Sequence, residues 1–80
     1  MKTMEDFYTE MARRSDYAGE GDACGLYTFG LVSVLTAESN EYLRVKIASP
    51  YTVSNFIISI QHGDFAPVLD KIEAEQIHTF

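Results

Sequence analysis

Cysteine is almost absent from this sequence, since Cys24 is the only one in 80 residues. A chain with one cysteine cannot form an intramolecular disulfide, which small secreted domains generally use to compensate for a small core. The first six residues are not followed by an apolar stretch of the kind found in signal peptides. We therefore expect a cytoplasmic protein that folds without covalent cross-links.

Basic residues are also scarce. Six Lys and Arg against twelve Asp and Glu give a formal net charge of −6. Nucleic-acid binding draws much of its affinity from Lys and Arg against phosphates, so this composition predicts no direct nucleic-acid binding. Long apolar runs are missing as well, because the most apolar stretch, Phe29–Leu35, is far shorter than the roughly 18–20 residues of a membrane span. We expect no membrane association.

What the chain does contain is typical of a folded domain. It is 46% hydrophobic and has five Tyr and five Phe, with only two Pro and five Gly. Its length predicts a single compact domain over residues 1–80. A domain of this size buries only about 60–65% of its unfolded surface, so we expect support from a partner or from self-association.

The segment from Thr3 to about Ala18 has the spacing of an amphipathic helix. Thr3 is the predicted N-cap, and acidic residues in the first turn and basic residues in the last complement the helix dipole. The apolar residues recur at i, i+3, i+4 and i+7, as one face of a helix requires. They are Met4, Phe7, Tyr8 and Met11.

The middle of the chain predicts a β-hairpin. Gly19–Gly25 contains three glycines and no periodicity, which indicates a loop. Leu26–Thr36 is dense in aliphatic, aromatic and β-branched residues and is predicted as one strand, apolar on both faces. Ala37–Glu41 is a polar turn, and Tyr42–Ala48 alternates between apolar and polar residues as a half-buried strand does. The two strands are expected to pair in antiparallel fashion.

The segment Tyr51–His62 is consistent with two structures. As a helix it would have Ser49 as N-cap, Pro50 at the first position and Gly63 just past its end, with its apolar residues on one face. As a strand it would suit its many β-branched residues. The boundary residues and the periodicity favour the helix. A last helix is predicted after Asp64.

These elements predict an α+β fold. It is a small single domain in which an antiparallel β-hairpin or short sheet is covered on one face by helices. The predicted order is α-β-β-α-α, and the alternative, with a strand at residues 51–62, is α-β-β-β-α.

The sequence offers no catalytic, cofactor or metal site. The glycines in Gly19–Gly25 do not form a phosphate loop, because a helix precedes them, a strand follows and the neighbouring acids repel phosphate. A Cys24 nucleophile would need His62 or His78 as a base, and nearby acids disfavour the thiolate. One cysteine and two histidines are too few for a zinc site. We expect the protein not to be an enzyme.

The remaining feature is the acidic surface. A negative field around a small body speeds association with a basic partner. We therefore predict a non-catalytic acidic protein-binding module that docks on a basic protein surface, as an inhibitor or an immunity-type factor does. Small acidic inhibitors of nucleic-acid-handling proteins from phages and mobile elements share this general profile. The alternative is a homo-oligomeric structural or accessory subunit. The predicted partner-binding residues are Glu20, Asp22, Glu38, Glu41, Tyr42 and Tyr51.

Overall fold

A computed structural model describes residues 4–79 of the protein, with the side chains of residues 4–77. Within these residues the order of elements is α-β-β-β-β-β-α. The elements are α1 (Met4–Arg14), β1 (Tyr17–Gly21), β2 (Cys24–Phe29), β3 (Val32–Glu38), β4 (Tyr42–Ala48), β5 (Val53–Ser59) and α2 (Ala66–Thr79).

The strands form one five-stranded antiparallel sheet in the order β1-β2-β3-β4-β5, so each strand pairs with its neighbours in the sequence. Both helices pack on the same face of this sheet, α1 against β1 and β2, and α2 against β3 and β4. No described residue forms a layer on the opposite face, which we call the open face. Neither helix within residues 4–79 is long and apolar enough to cross a membrane.

The core lies between the two helices and the sheet. Phe7 of α1 stacks on Phe65, which precedes α2, with ring centroids 5.0 Å apart. Strand alternation supplies the rest, because every second side chain of a strand points to the same face. The fully buried side chains are Phe7, Met11, Tyr27, Phe29, Val32, Val34, Leu43, Val45, Ile47, Phe65 and Val68.

The prediction of one strand over Leu26–Thr36 is wrong, because the chain reverses at Gly30. Phe29 pairs with Val32, which leaves a two-residue turn between β2 and β3. Gly30 has a φ of 65°, the conformation that a tight hairpin turn requires at its first central position and that glycine adopts without strain. The turn also shifts the alternation, so odd-numbered residues of β2 and even-numbered residues of β3 face the core. This shift explains why Leu26–Thr36 has apolar residues at both odd and even positions.

The helix predicted over Tyr51–His62 is wrong, and the order α-β-β-α-α is wrong with it. The segment contains β5, which pairs with β4 along its whole length. The residue expected to cap a helix caps a turn instead, since Ser49 Oγ accepts hydrogen bonds from the backbone N–H groups of Tyr51 and Thr52. A serine before a turn offers the same local bonds as a serine before a helix, and pairing with β4 decides between them.

The alternative order α-β-β-β-α is also wrong, because the sheet has two more strands. The helix α1 ends at Arg14, and Tyr17–Gly21, expected as the end of a helix and the start of a loop, forms edge strand β1. Its glycines have little strand propensity, so its pairing with β2 comes from the tertiary structure. The strand Tyr42–Ala48 and the last helix after Asp64 are confirmed. Thr3 and the side chain of His78 lie outside the described part of the chain.

Candidate functional site

Carboxylates gather at one end of the sheet. Asp22 lies in the β1–β2 turn and Glu41 in the β3–β4 turn. These turns adjoin, because the Glu38 N–H donates to the Ala23 carbonyl at 2.7 Å. Glu20 stands beside the first turn in β1. Glu5 of α1 and Glu38 of β3 line the same surface depression as Glu20. We call these carboxylates the acidic end: Glu5, Glu20, Asp22, Glu38 and Glu41.

The order of the strands explains this gathering. In an antiparallel sheet whose strands are sequential neighbours, alternate turns lie at the same end. The β1–β2 and β3–β4 turns therefore meet, and Tyr42, exposed on the open face, follows directly from the second of them. Tyr51 belongs to the β4–β5 turn at the opposite end. The structure thus brings together five of the six predicted binding residues and separates Tyr51 from them.

Two tyrosines orient two of the carboxylates. The Tyr8 hydroxyl donates to Glu38 Oε1 at 2.9 Å, and the Tyr27 hydroxyl donates to Glu20 Oε1 at 2.9 Å. The two rings lie nearly parallel, with centroids 6.4 Å apart. Glu20 remains exposed and Glu38 half-buried. Both carboxylates are therefore fixed in position while still within reach of a partner.

Both phenols remain protonated far into the alkaline range. Burial, followed by the hydrogen bond to Glu38, raises the pKa of Tyr8 to about 12. Burial and the hydrogen bond to Glu20 also raise the pKa of Tyr27 well above its usual value. At neutral pH both groups act as hydrogen-bond donors to carboxylates and not as bases.

These pairs predict how stability depends on pH. A phenol whose pKa is raised in the folded state stabilises fully below its unfolded value near 10 and loses that contribution as the pH rises; for Tyr8 the loss occurs between pH 10 and about 12. Tyr8→Phe and Tyr27→Phe should each lower the unfolding free energy by about 1 kcal/mol at pH 8. Because Phe has no proton to lose, the difference from wild type should shrink by pH 11.

Urea unfolding at pH 8 and at pH 11 measures both effects, with Tyr51→Phe as the control because Tyr51 is 74% exposed. If the Tyr8 and Tyr27 variants differ from wild type by the same amount at both pH values, the two phenols do not contribute to the alkaline loss of stability.

Three of the five positive side chains among residues 4–77 lie away from the acidic end. Arg13 and Arg14 contact Glu10, and the hydrogen bonds from Arg13 and then Arg14 lower the pKa of Glu10 to about 2. They lie beside Phe29, at the opposite end of β2 from Asp22. Lys71 lies beside Tyr51, also far from the acidic end.

The open face carries the other two described cations. Arg44 and Lys46 project from β4 and form no salt bridge with any residue from 4 to 77. A shallow groove of about 400 Å³ runs between them and is lined by Leu35, Ala37, Asn55 and Ile57. The strand residues that point to this face include no Asp or Glu. The open face is therefore apolar with a positive centre.

Glu75 is a buried carboxylate that the sequence pattern did not reveal. It is only 5% exposed and accepts hydrogen bonds from the hydroxyls of Ser49, at 3.2 Å, and Thr52. These bonds hold α2 against the β4–β5 turn. Only the position of that turn shows the role of Glu75.

The remaining candidates for chemistry lie in exposed positions. Cys24 is exposed at the start of β2, and His62 is exposed in the turn after β5. Among the residues that the structure describes, no group of three or more His, Cys, Asp and Glu side chains could hold a metal ion.

The acidic end is thus the one place where most of the predicted binding residues meet. Comparison of the chain with protein-family models, with curated proteins and with solved structures found no match.

Proposed function

We propose that the protein is a non-catalytic protein-binding module whose acidic end docks on a basic surface of a partner protein. The observation that carries this proposal is the convergence of carboxylates at the acidic end. Three of the described cations, Arg13, Arg14 and Lys71, lie at the opposite end of the sheet, and the other two, Arg44 and Lys46, lie on the open face.

The physical basis of such binding is electrostatic complementarity. Partly exposed carboxylates attract Lys and Arg over a distance set by ionic strength, about 8–10 Å near physiological salt. Such charge pairs mainly raise the association rate and select the orientation of the partner. The phenols of Tyr8 and Tyr27 add to this by fixing two carboxylates before binding, which lowers the entropy cost of association.

More narrowly, we propose that the protein is an inhibitor or immunity-type factor that acts by covering a basic surface of a nucleic-acid-handling protein. The chain's net charge of −6 supports this narrower proposal. We also propose that the protein acts in the cytoplasm. Its single cysteine cannot form the intramolecular disulfide that small domains generally use in oxidising compartments.

Two double variants with the same change of net charge test the proposal. Asp22→Asn with Glu41→Gln removes two negative charges from the acidic end without breaking the Tyr–Glu pairs. Asp70→Asn with Glu73→Gln removes two from exposed positions on α2. Each protein is immobilised, exposed to a native lysate of the source organism and eluted with a salt gradient.

We expect wild type and the α2 variant to retain the same salt-sensitive partner, and the acidic-end variant to bind it at least about tenfold more weakly. Equal loss of binding in both variants would mean that net charge alone drives association. Full retention by the acidic-end variant, or capture of no partner at low salt, would overturn the proposal.

A further inference from the structure

We infer that the edge strand β5 pairs with β5 of a second copy of the chain to form a continuous ten-stranded antiparallel sheet. The first observation concerns backbone groups. Two hydrogen bonds show which residue pairs of the β4–β5 ladder are hydrogen-bonded. The Ser49 N–H donates to the Thr52 carbonyl, and the Ile60 N–H donates to the Glu41 carbonyl. Even-numbered residues of β5 therefore bond to β4, and odd-numbered residues turn their N–H and C=O groups outward.

Three residues present these outward groups without a partner in the described part of the chain: Val53, Asn55 and Ile57. All three are exposed. Natural sheets generally protect such an edge with a charged residue, a proline, a bulge or a very short strand. The seven residues of β5, Val-Ser-Asn-Phe-Ile-Ile-Ser, contain none of these. The other edge, β1, is shorter and contains Glu20 and two glycines.

One end of the β5 edge is already occupied. The outward carbonyl of Ser59 accepts a hydrogen bond from the Gly63 N–H at 2.8 Å. Gly63 lies so close to this edge that an added Cβ would stand 2.4 Å from the Ser59 oxygen. The available edge therefore ends at Ile57.

This available edge is self-complementary. Its central residue is Asn55, with Val53 and Ile57 placed symmetrically two residues away. In an antiparallel register that pairs Asn55 with Asn55 of the second copy, Val53 opposes Ile57 of the second copy. Each such pair exchanges two backbone hydrogen bonds, so the six outward groups of Val53, Asn55 and Ile57 are satisfied in each chain. Apolar side chains then meet on the open face.

Charge favours this arrangement over the other ways in which two acidic copies could meet. Antiparallel pairing places the two acidic ends at opposite ends of the joined sheet. It also separates the Arg44 and Lys46 pairs by three strand spacings, about 14 Å, which exceeds the Debye length of about 8 Å at physiological salt. Packing open face on open face would instead bring the cations of the two copies into one apolar layer.

The first test is a light-scattering mass measured over a concentration series up to about 500 µM, since an interface of one strand pair is expected to be weak. Asn55→Pro removes an outward N–H and no bond of the β4–β5 ladder, and edge strands tolerate proline. Leu26→Lys is the control, because it alters the open face away from β5. Ile57→Lys replaces the first variant if circular dichroism shows that Asn55→Pro does not fold.

We expect wild type and Leu26→Lys to dimerise with equal affinity and the edge variant to dimerise at least about tenfold more weakly. A strict monomer at every concentration would overturn the inference. A dimer that survives the edge variant would overturn it as well.

The second test reports the register. In a Cys24→Ser background, Asn55→Cys places two thiols on Cα atoms about 5.5 Å apart, within the range that a disulfide spans. Val53→Cys places them about 14 Å apart and serves as the matched control. We expect the oxidised Asn55→Cys protein to form a covalent dimer and the Val53→Cys protein to form little. Equal cross-linking of the two would contradict the register.

Discussion

Replacing Phe7 with alanine is expected to lower the free energy of unfolding by about 3–5 kcal/mol. Phe7 is fully buried and stacks on Phe65, so it joins α1 to the segment that precedes α2. The only other buried residue of α1 is Met11. The alanine variant therefore loses one of the two fully buried side chains of α1, in addition to leaving a cavity.

A loss of this size is a large share of the total, because a domain of 80 residues is expected to have an unfolding free energy of about 4–12 kcal/mol. Urea unfolding followed by circular dichroism measures it. Phe7→Leu should cost about 1–1.5 kcal/mol, and Tyr51→Ala, at a position 74% exposed, should cost under about 0.5 kcal/mol. An alanine variant as stable as the leucine variant would show that α1 is not held by this ring.

Replacing Gly63 with alanine is expected to lower the free energy of unfolding by about 2–3 kcal/mol, the usual cost of forcing extra atoms into a packed position. The added Cβ would stand 2.1 Å from Ile58 Cγ2 and 2.4 Å from the Ser59 carbonyl oxygen. The second of these is a backbone atom that accepts the Gly63 hydrogen bond. The turn after β5 must therefore move, and it loses that bond.

Gly21→Ala is the matched control. Its Cβ would meet only Cys24 Sγ, at an ordinary contact distance of 3.6 Å, so the change in stability should stay within about 1 kcal/mol. Thermal unfolding of the two variants beside wild type separates the effects. Equal melting temperatures for the Gly63 variant and wild type would mean that the turn has room for a side chain.

The Phe7 prediction depends on a contact between segments that are distant in the sequence, and such contacts are also where interpretation of the sequence failed. The strand Tyr42–Ala48 was predictable to the residue, because polar and apolar side chains alternate along its whole length. The structure of the segment Tyr51–His62 was not predictable. Ser49 caps a turn and Gly63 fits a close packing contact, but both residues are equally typical of the two ends of a helix. Their local bonds are the same in both structures.

The candidate site was predictable in part for a related reason. The acidic residues and Tyr42 are visible in the sequence, but their convergence depends on the number of strands. With two or three strands in the predicted order, Glu20 and Asp22 would lie in a loop unrelated to the β3–β4 turn. The additional strand β1 and the reversal at Gly30 bring these turns to the same end.

The first and last helices and the alternating strand β4 were predictable because each depends on residues close together in the chain. The tertiary structure alone decided that β1 and β5 are strands, that Glu75 is buried, and which carboxylates meet. The physical reason is that an edge strand gains its hydrogen bonds from a neighbouring strand, and a buried carboxylate gains its donors from another element. The local pattern of residues shows neither the neighbouring strand nor the element that supplies the donors.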